Sequence, residues 1–557
     1  MKTAQIRMVF TTDLHGQLTV NNYETGAVVK EGSLARAVTK INEERAKVPE
    51  GNSFLFDIGD FIYDYSTDFI YEYDDTAVQP LFQAMNTMNY DAITLGNHEF
   101  EYGLPYIVEQ LQGSGLVNKC VVSNVKDVNT GKHIWAENRI IEKTLTASNG
   151  QTFTVKVGVI GETIPTLSKK RADYTGVLTT EDIVQNATVQ AQNLKAQGAD
   201  IVVCLAHSGI GEENPEPMSD NASYALTKVP GIDVVLCGHF HRNFPSNERT
   251  ESSYYTLPGV DKNTGLVNGK NLVMAAQQGQ YIGVADLMVR QTGTGVEIIG
   301  RDSKVVKVGN ETAVDENFNN NFMGKWQQIL VANCSTILGE ISNDANYQNY
   351  FGLLEDNSAM QLINNAKMSY AMNYINTVET AYKDCQVIAA SSYVQCGMDD
   401  AYDYYNLKGD FLQSYMSRIE KYKTALYLYK ATGAQIKEWL EWSASAYNTS
   451  AGGNINVSEN TVLNQNVLQD AWKNKWDTYY VFDGMEYTID TTKPARYDVM
   501  GNLVNNSNRV TSATINGVPI NDATTYVVVG DRFAQAYPAI ANIQSQKIYS
   551  TKDRCQN

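Results

Sequence analysis

The chain has 557 residues, 43% hydrophobic and 19% charged, with 44 basic against 62 acidic side chains and a formal net charge of −18. That length exceeds one ordinary core and implies two domains, or three. The acidic balance excludes a polynucleotide partner, which calls for a basic face, but admits a small anionic substrate wherever metal ions supply local positive charge.

No uninterrupted apolar run is long enough to span a bilayer. The seven cysteines are scattered and include no Cys-x-x-Cys pair, so they form no disulfide framework; Cys204 and Cys237 lie inside apolar runs and read as small buried hydrophobes. Met1-Lys2-Thr3-Ala4-Gln5-Ile6 leads directly into the first strand. The chain as it stands therefore carries no signal peptide, and its location is open between the cytosol and export with a leader removed.

In chain order, residues 6–12 read as a strand that ends at Asp13-Leu14-His15. Ser33 is placed to cap a helix through Lys47, in which Leu34, Val38 and Ile41 fall at helical spacing. Residues 53–58 form the next strand and end at Gly59-Asp60. Residues 78–89 are helical, and 91–95 make a third strand that ends at Gly96-Asn97-His98-Glu99. Strands at 153–160, 201–205 and 234–236 follow; the second runs into His207 and the third into Gly238-His239-Phe240-His241.

Phe318, Phe322, Trp326, Ile329 and Leu330 make one stripe on a connecting helix that Asp315 caps, and the domain boundary is placed near residue 335. Beyond it, residues 425–429 read as a strand. Thr432-Gly433-Ala434-Gln435 is a capping box opening a helix with Ile436, Trp439 and Leu440 on its apolar face. Strands at 479–482 and 485–489 read as a hairpin around Asp483-Gly484. Residues 443–470, polar and rich in Asn and Ser, read as an exposed insertion. Residues 526–529 are a late strand ending at Gly530-Asp531-Arg532-Phe533, and no internal repeat is present.

Five of the six histidines fall in the short motifs that follow strand ends; only His133 lies outside. Neutral imidazole is a common metal ligand and the usual acid or base near neutral pH. Ligands in α/β proteins gather at the C-terminal edge of the strands. Asp, Asn and His side chains repeated at that edge therefore predict a metal site. A set without thiolate suits Mn, Fe, Co or Zn, and composition does not choose among them.

Asp13-x-His15, Gly59-Asp60, Gly96-Asn97-His98-Glu99, His207 and Gly238-His239-x-His241 together resemble the five-motif signature of dimetal metallophosphoesterases, and the second half is similar to the 5'-nucleotidase C-terminal domain. Four stretches resemble the bacterial 2',3'-cyclic-nucleotide 2'-phosphodiesterase/3'-nucleotidase branch. They are Gly96-Asn97-His98-Glu99-Phe100-Glu101-Tyr102-Gly103-Leu104, Thr432-Gly433-Ala434-Gln435-Ile436-Lys437-Glu438-Trp439-Leu440-Glu441, Phe482-Asp483-Gly484-Met485-Glu486-Tyr487-Thr488-Ile489-Asp490 and Lys493-Pro494-Ala495-Arg496-Tyr497-Asp498.

The resemblance implies an α/β fold: a four-layer metallophosphoesterase β-sandwich flanked by helices over residues 1–314, a connecting helix over 315–335, and a smaller α/β nucleotide-binding domain of 5'-nucleotidase type over 336–557. It implies two divalent metal ions, one held by Asp13, His15 and His241, the other by Asn97, His207 and His239, with Asp60 bridging. His98 would hydrogen-bond the phosphoryl group and assist the leaving oxygen. Glu101 stands where relatives pair that histidine with an aspartate. Asp64 and Glu99 would support the loops. Tyr422 and Phe533 would clamp the base.

Two departures weaken a 5'-nucleotidase assignment: the stretch 389–397 has no arginine, and no Gly-Gly-Asp-Gly follows Phe533. The activity implied is opening of 2',3'-cyclic nucleotides to 3'-nucleotides, then their hydrolysis to nucleoside and phosphate, by a monomer acting on a small nucleotide. The alternatives are a 5'-nucleotidase or nucleotide-sugar hydrolase, and, in another class, a non-catalytic nucleotide-binding or surface-interaction protein. Relatives of this kind are mostly exported.

Overall fold

The structure is a computed structural model; it describes residues 2–23, 25–62, 66–67, 69–70, 78–167, 174, 176–246, 253–261, 263–348, 357–392, 404–419, 426–453, 462, 480–498, 502–530 and 546–550. The chain forms two compact units, Met1–Ala332 and Asn333–Asn557. Among the described residues no helix is long and apolar enough to cross a membrane.

The first unit is built from β1 (Thr3–Thr11), α1 (Leu34–Arg45), β2 (Ser53–Asp57), α2 (Pro80–Thr87), β3 (Ala92–Ile93), α3 (Leu104–Ser114), β4 (Arg139–Thr146) and β5 (Thr152–Glu162). It continues through α4 (Ile183–Ala196), β6 (Ile201–Ala206), α5 (Ser223–Leu226), β7 (Val234–Cys237), β8 (Lys270–Ala275), β9 (Tyr281–Gln291) and β10 (Val296–Lys307). One sheet has the order β10-β9-β1-β2-β3, with β1, β2 and β3 parallel. The other contains β8-β7-β6-β5-β4, parallel from β5 to β8, extended by three shorter strands.

Side chains alternate across each strand with period two, and the sequence uses both faces. Ile6, Met8 and Phe10, Phe54 and Phe56, Val203 and Leu205, and Val234 and Leu236 all enter one core shared by the two sheets. On the opposite faces, Val9, Leu55 and Ile93 pack with Leu34, Ile41, Phe82 and Ile107 of the helices. Val202, Cys204, Val235 and Cys237 pack with Ile183, Ala191 and Leu194. The result is four layers: helices, sheet, sheet, helices. Because β1–β3 and β5–β8 are parallel within their sheets, the loops after β1, β2, β3, β6 and β7 all leave from C-terminal strand edges.

Ser33 caps α1 as expected: its side chain accepts the Arg36 N–H at 3.3 Å. The helix after Asp315, whose side chain accepts the Phe318 N–H at 2.9 Å, runs through a π-helical turn, Asn319–Met323, into Gly324–Cys334. Phe318, Met323 and Trp326 pack into the core of the first unit.

The second unit adds α6 (Ser358–Thr377), β11 (Val387–Ser392), β12 (Tyr427–Thr432), α7 (Gly433–Ala444), β13 (Tyr480–Asp483), β14 (Glu486–Ile489), β15 (Val510–Ile515), β16 (Thr525–Gly530) and β17 (Lys547–Ser550). Its main sheet has the order β13-β11-β16-β12-β17. Tyr427, Tyr429 and Val528 face Ile436, Trp439 and Leu440 of α7. Leu428, Val527 and Val529 face Ala371 and Ile375 of α6. The Thr432–Gln435 capping box is present in both directions, at 2.8 and 3.3 Å.

Two expectations are corrected here. The strands on either side of Asp483-Gly484 do not form a hairpin: β13 pairs with β11 and β14 with β15, so the turn hands the chain from one sheet to another. The proposed exposed insertion begins buried, because α7 continues to Ala444 and Ser443, Ser445 and Ala446 are covered by the fold. A polar composition gave no sign of that, since these small side chains are compatible with either environment.

One ion cluster ties α1 to β1 and β10. Buried Glu44 meets Arg7 at 2.8 Å, Lys47 at 2.6 Å and Lys304 at 2.9 Å, and Arg7 also holds Asp286 at 2.7 Å. Burial pushes the Glu44 carboxyl up, but its cations outweigh burial and hold it below the ordinary carboxylate range. Replacing Glu44 with Ala leaves Arg7 with one partner fewer and is expected to cost roughly 3 kcal/mol. That is the low end for breaking a buried pair, because the two lysines can turn to water. The depressed value makes this contribution present above the unfolded carboxylate pKa and lost as pH falls through the folded one. Denaturation midpoints of the wild type and Glu44→Ala should therefore differ at pH 7 and converge in acid; a constant gap across pH would contradict the assignment.

Candidate metal centre

Five strand ends of the first unit deliver the motif residues to one place. Asp13, His15, Asp60 and His241 bring ligand atoms within 4.8 Å of one another, and Asp60, His207 and His239 do the same. The turns that achieve this are unusual. Asp13 (φ 50°), His15 (φ 45°), Asp60 (φ 53°), His239 (φ 69°) and His241 (φ 54°) all sit in the left-handed region, which side chains adopt only when surrounding structure imposes it.

Glycines make the close approach possible. A side chain at Gly96 would run into the Asp60 carboxylate and the His207 ring, and one at Gly238 would run into Thr12 and Asp13.

The hydrogen bonds fix which atoms face inward. His207 donates Nδ1–H to the Ile58 carbonyl at 2.9 Å, which turns Nε2 toward the centre. That Nε2 stands 3.0 Å from Asp60 Oδ2, yet neither atom has hydrogen-bond geometry, and Asn97 Oδ1 is likewise buried without a partner. Asp60 Oδ1 accepts the His98 N–H at 2.8 Å, and the Asp13 carboxylate accepts the His239 N–H at 3.1 Å. Nε2 atoms of His15 and His241 face each other at 2.8 Å, and His241 Nε2 stands 3.4 Å from Asp13 Oδ1.

Asp60 Oδ2 and His207 Nε2, buried side by side without a hydrogen bond, are an arrangement that a cation between them resolves. The oxygen and imidazole donor set fits a divalent ion.

The electrostatics agree. Burial pushes the Asp60 carboxyl up, but His207 and His98 outweigh it and hold Asp60 well below the ordinary range. Burial works against charge on His207, and Asp60 overcomes it, pushing His207 up to about 10. His15 and His239 move the other way, to about 3 and about 4, chiefly through burial. With no cation present His207 thus carries a proton, which a metal ion at Nε2 would displace.

His98 and Glu101, which the sequence paired, are in contact: His98 donates Nδ1–H to Glu101 Oε1 at 3.1 Å. Burial lowers His98, but Asp60 and then Glu101 outweigh it and push it up to about 9. Tyr422, Phe533 and Asp64 lie outside the described residues.

Glu99 has a larger part than its position in the motif suggests. Fully buried, its carboxylate accepts the backbone N–H groups of Asp60 (2.9 Å), Phe61 (2.8 Å), Ile62 (3.1 Å) and Gly96 (2.7 Å). It therefore clips the loop that carries Asp60 to the loop that carries Asn97. Glutamine offers one acceptor oxygen and sets an NH₂ against N–H donors, so Glu99→Gln should weaken metal affinity roughly 10–100-fold, the usual cost of losing a ligand-orienting partner. Metal titration of the purified variant checks this; unchanged affinity would separate the clip from the centre.

A second buried carboxylate, Glu162 at the end of β5, was not singled out from the sequence, because one Glu after an apolar run carries no distinguishing pattern. Burial raises it well above the ordinary range, and among the described residues neither of its oxygens has a hydrogen-bond partner.

The calcineurin-like phosphoesterase family matches residues 6–243, and the 5'-nucleotidase C-terminal domain matches residues 351–538. A 2',3'-cyclic-nucleotide 2'-phosphodiesterase/3'-nucleotidase of Haemophilus influenzae is 30% identical over 549 residues, covering 95% of this chain and 79% of that protein. The trifunctional nucleotide phosphoesterase protein YfkN of Bacillus subtilis is 30% identical over 564 residues; the match covers 98% of this chain but only 36% of that longer protein. The crystal structure of a 5'-nucleotidase precursor of Thermus thermophilus shares the fold at 18% identity with a TM-score of 0.56, covering 98% of this chain and 93% of that one. With strand-end motifs, sandwich and whole-length likeness in agreement, the chain belongs to the 2',3'-cyclic-nucleotide 2'-phosphodiesterase/3'-nucleotidase family of metallophosphoesterases and is a phosphoric ester hydrolase.

Proposed function

We propose that the enzyme opens 2',3'-cyclic nucleotides to 3'-nucleotides and hydrolyses these to nucleoside and phosphate at one centre on the first unit. The ligand atoms of Asp13, His15, Asp60, His207, His239 and His241 gathered at one place support the metal chemistry, and the likeness to the Haemophilus influenzae enzyme supports the substrate. Asp13, His15 and His241 would hold one divalent ion and Asn97, His207 and His239 the other, with Asp60 shared. When bound, the ions supply Lewis acidity and a nucleophilic water near neutral pH.

The chain's own groups do the rest. Ile58 O fixes the His207 tautomer, Glu99 fixes the spacing of the Asp60 and Asn97 loops, and Glu101 turns His98 so that Nε2 faces the reacting group. His98, hydrogen-bonded to Glu101 through Nδ1, would give its proton to the departing ribose oxygen. In the first step the bond from phosphorus to O2' breaks as water adds. In the second the bond to O3' breaks. Each leaves a ribose hydroxyl that needs one proton, so one acid serves both.

In the second unit, Tyr422 and Phe533 would hold the base. Steady-state kinetics with 2',3'-cyclic AMP, 3'-AMP and 5'-AMP under Mn or Co tests the assignment. The first two should turn over efficiently and the third poorly; preferential 5'-AMP hydrolysis would overturn it. Replacing both aromatics with Ala should lower kcat/KM on 3'-AMP by roughly five- to 150-fold, the worth of one stacked base, and spare bis-p-nitrophenyl phosphate.

A further inference from the structure

Two residues beside the metal centre are not accounted for by it. Phe240 lies between His239 and His241, and Arg242 follows. Phe240 is 37% exposed, although large aromatic side chains are ordinarily covered. The Arg242 guanidinium carbon stands 5.2 Å from the Phe240 ring centroid, and Tyr254 meets that ring edge-on, with centroids 6.0 Å apart at 81°.

Arg242 is exposed, and its guanidinium has no carboxylate partner among the described residues. Among the described residues nothing occupies its five donors, which suit an anion.

Exposure within the centre shows where it opens. The side chains of Asp13 and His207 are fully covered, and His241 is 38% exposed. Phe240 and Arg242 therefore flank the ligand histidine nearest the mouth, on the catalytic unit itself.

We propose that Phe240 and Arg242 form a subsite on the rim of the metal centre for a second nucleotide unit of the substrate. Its base stacks on the ring and guanidinium pair, and its phosphate is held by Arg242. The preferred ligand class is then a 3'-phosphorylated dinucleotide rather than a mononucleotide. Aromatic rings and guanidinium planes both stack bases without sequence preference, and a guanidinium adds a charge-assisted contact to phosphate. This proposal rests on the phosphoesterase reading of the centre.

The test compares 3'-AMP with adenylyl-adenosine 3'-phosphate as inhibitors of bis-p-nitrophenyl phosphate hydrolysis by the full, Mn-loaded chain. The wild type should bind the dinucleotide roughly five- to 150-fold more tightly than the mononucleotide. In Phe240→Ala and in Arg242→Gln that ratio should fall toward one. Arg290→Gln makes the same charge change on the β9–β10 hairpin and should keep it. A wild-type ratio near one, or a ratio unmoved by both rim variants, overturns the subsite. Calorimetric titration of both ligands in EDTA, with turnover off, yields the ratio independently. Failure to hydrolyse phosphate esters would then count against the phosphoesterase reading alone, and a flat calorimetric ratio against the subsite alone.

Discussion

Asp60→Asn is expected to abolish turnover on every phosphate ester and to empty the centre of metal. The carboxylate is buried, its Oδ1 accepts the His98 N–H at 2.8 Å, and its Oδ2 stands 3.0 Å from His207 Nε2 with no hydrogen bond of its own. Asparagine keeps the size of the side chain and tolerates the left-handed φ of 53° at this position, so the turn should fold as before. What changes is charge. The amide cannot supply an anionic oxygen to two cations, and its NH₂ would point at a ring nitrogen or at a backbone N–H. Losing several kcal/mol of stabilisation by the bound ions is a fall of roughly 10³-fold or more. Activity on bis-p-nitrophenyl phosphate and metal content by mass spectrometry are read together, with the melting temperature as control. Full metal occupancy with wild-type turnover would remove Asp60 from the centre.

The metal centre was legible in the sequence because its chemistry sits at the ends of apolar runs, where strand period and polar interruption coincide. Its geometry was not. Nothing in Asp13, His15, Asp60, His239 or His241 announces a left-handed backbone, since none of them is glycine and the conformation is imposed by neighbouring loops. Glu99 reads as a motif residue, but its four backbone partners come from two loops about 40 residues apart in sequence, a distance that no local pattern spans.

The missed elements have similar causes. Helix α6 buries only Ala359, Met360, Ile363, Asn364, Ala371 and Ile375 of its 20 residues, so its apolar periodicity is faint. Strand β4 carries Glu142 and Lys143 among its apolar residues, with the Lys143 ammonium reaching Asp91 at 2.7 Å, which masks the alternation. At Asp483-Gly484 the local turn signal was right and the pairing wrong, because tertiary contacts with β11 and β15 decide which sheet each arm joins.

His98→Ala should keep its metals and lose turnover. His98 touches the centre through its backbone, whose N–H binds Asp60 Oδ1, and alanine retains that bond. The ring lies 3.8 Å from Asp60 Oδ2 through Nε2 and is turned by Glu101 through Nδ1. Under the proposed acid role, removing it should cost typically about 10²–10⁴-fold in rate. The loss should fall mainly on kcat for 3'-AMP, whose ribose alkoxide leaves badly without a proton, and should be smaller for a nitrophenyl ester, whose leaving group is already stable as an anion. Equal losses on both esters would assign His98 to positioning the phosphoryl group instead. Glu101→Gln should follow the same pattern at lower amplitude, about tenfold or less. The Glu101 side chain is 37% exposed, so water screens its pull on the imidazole, and a neutral amide oxygen can still accept from Nδ1. A Glu101→Gln loss as large as that of His98→Ala would instead make the carboxylate itself the group that carries the proton.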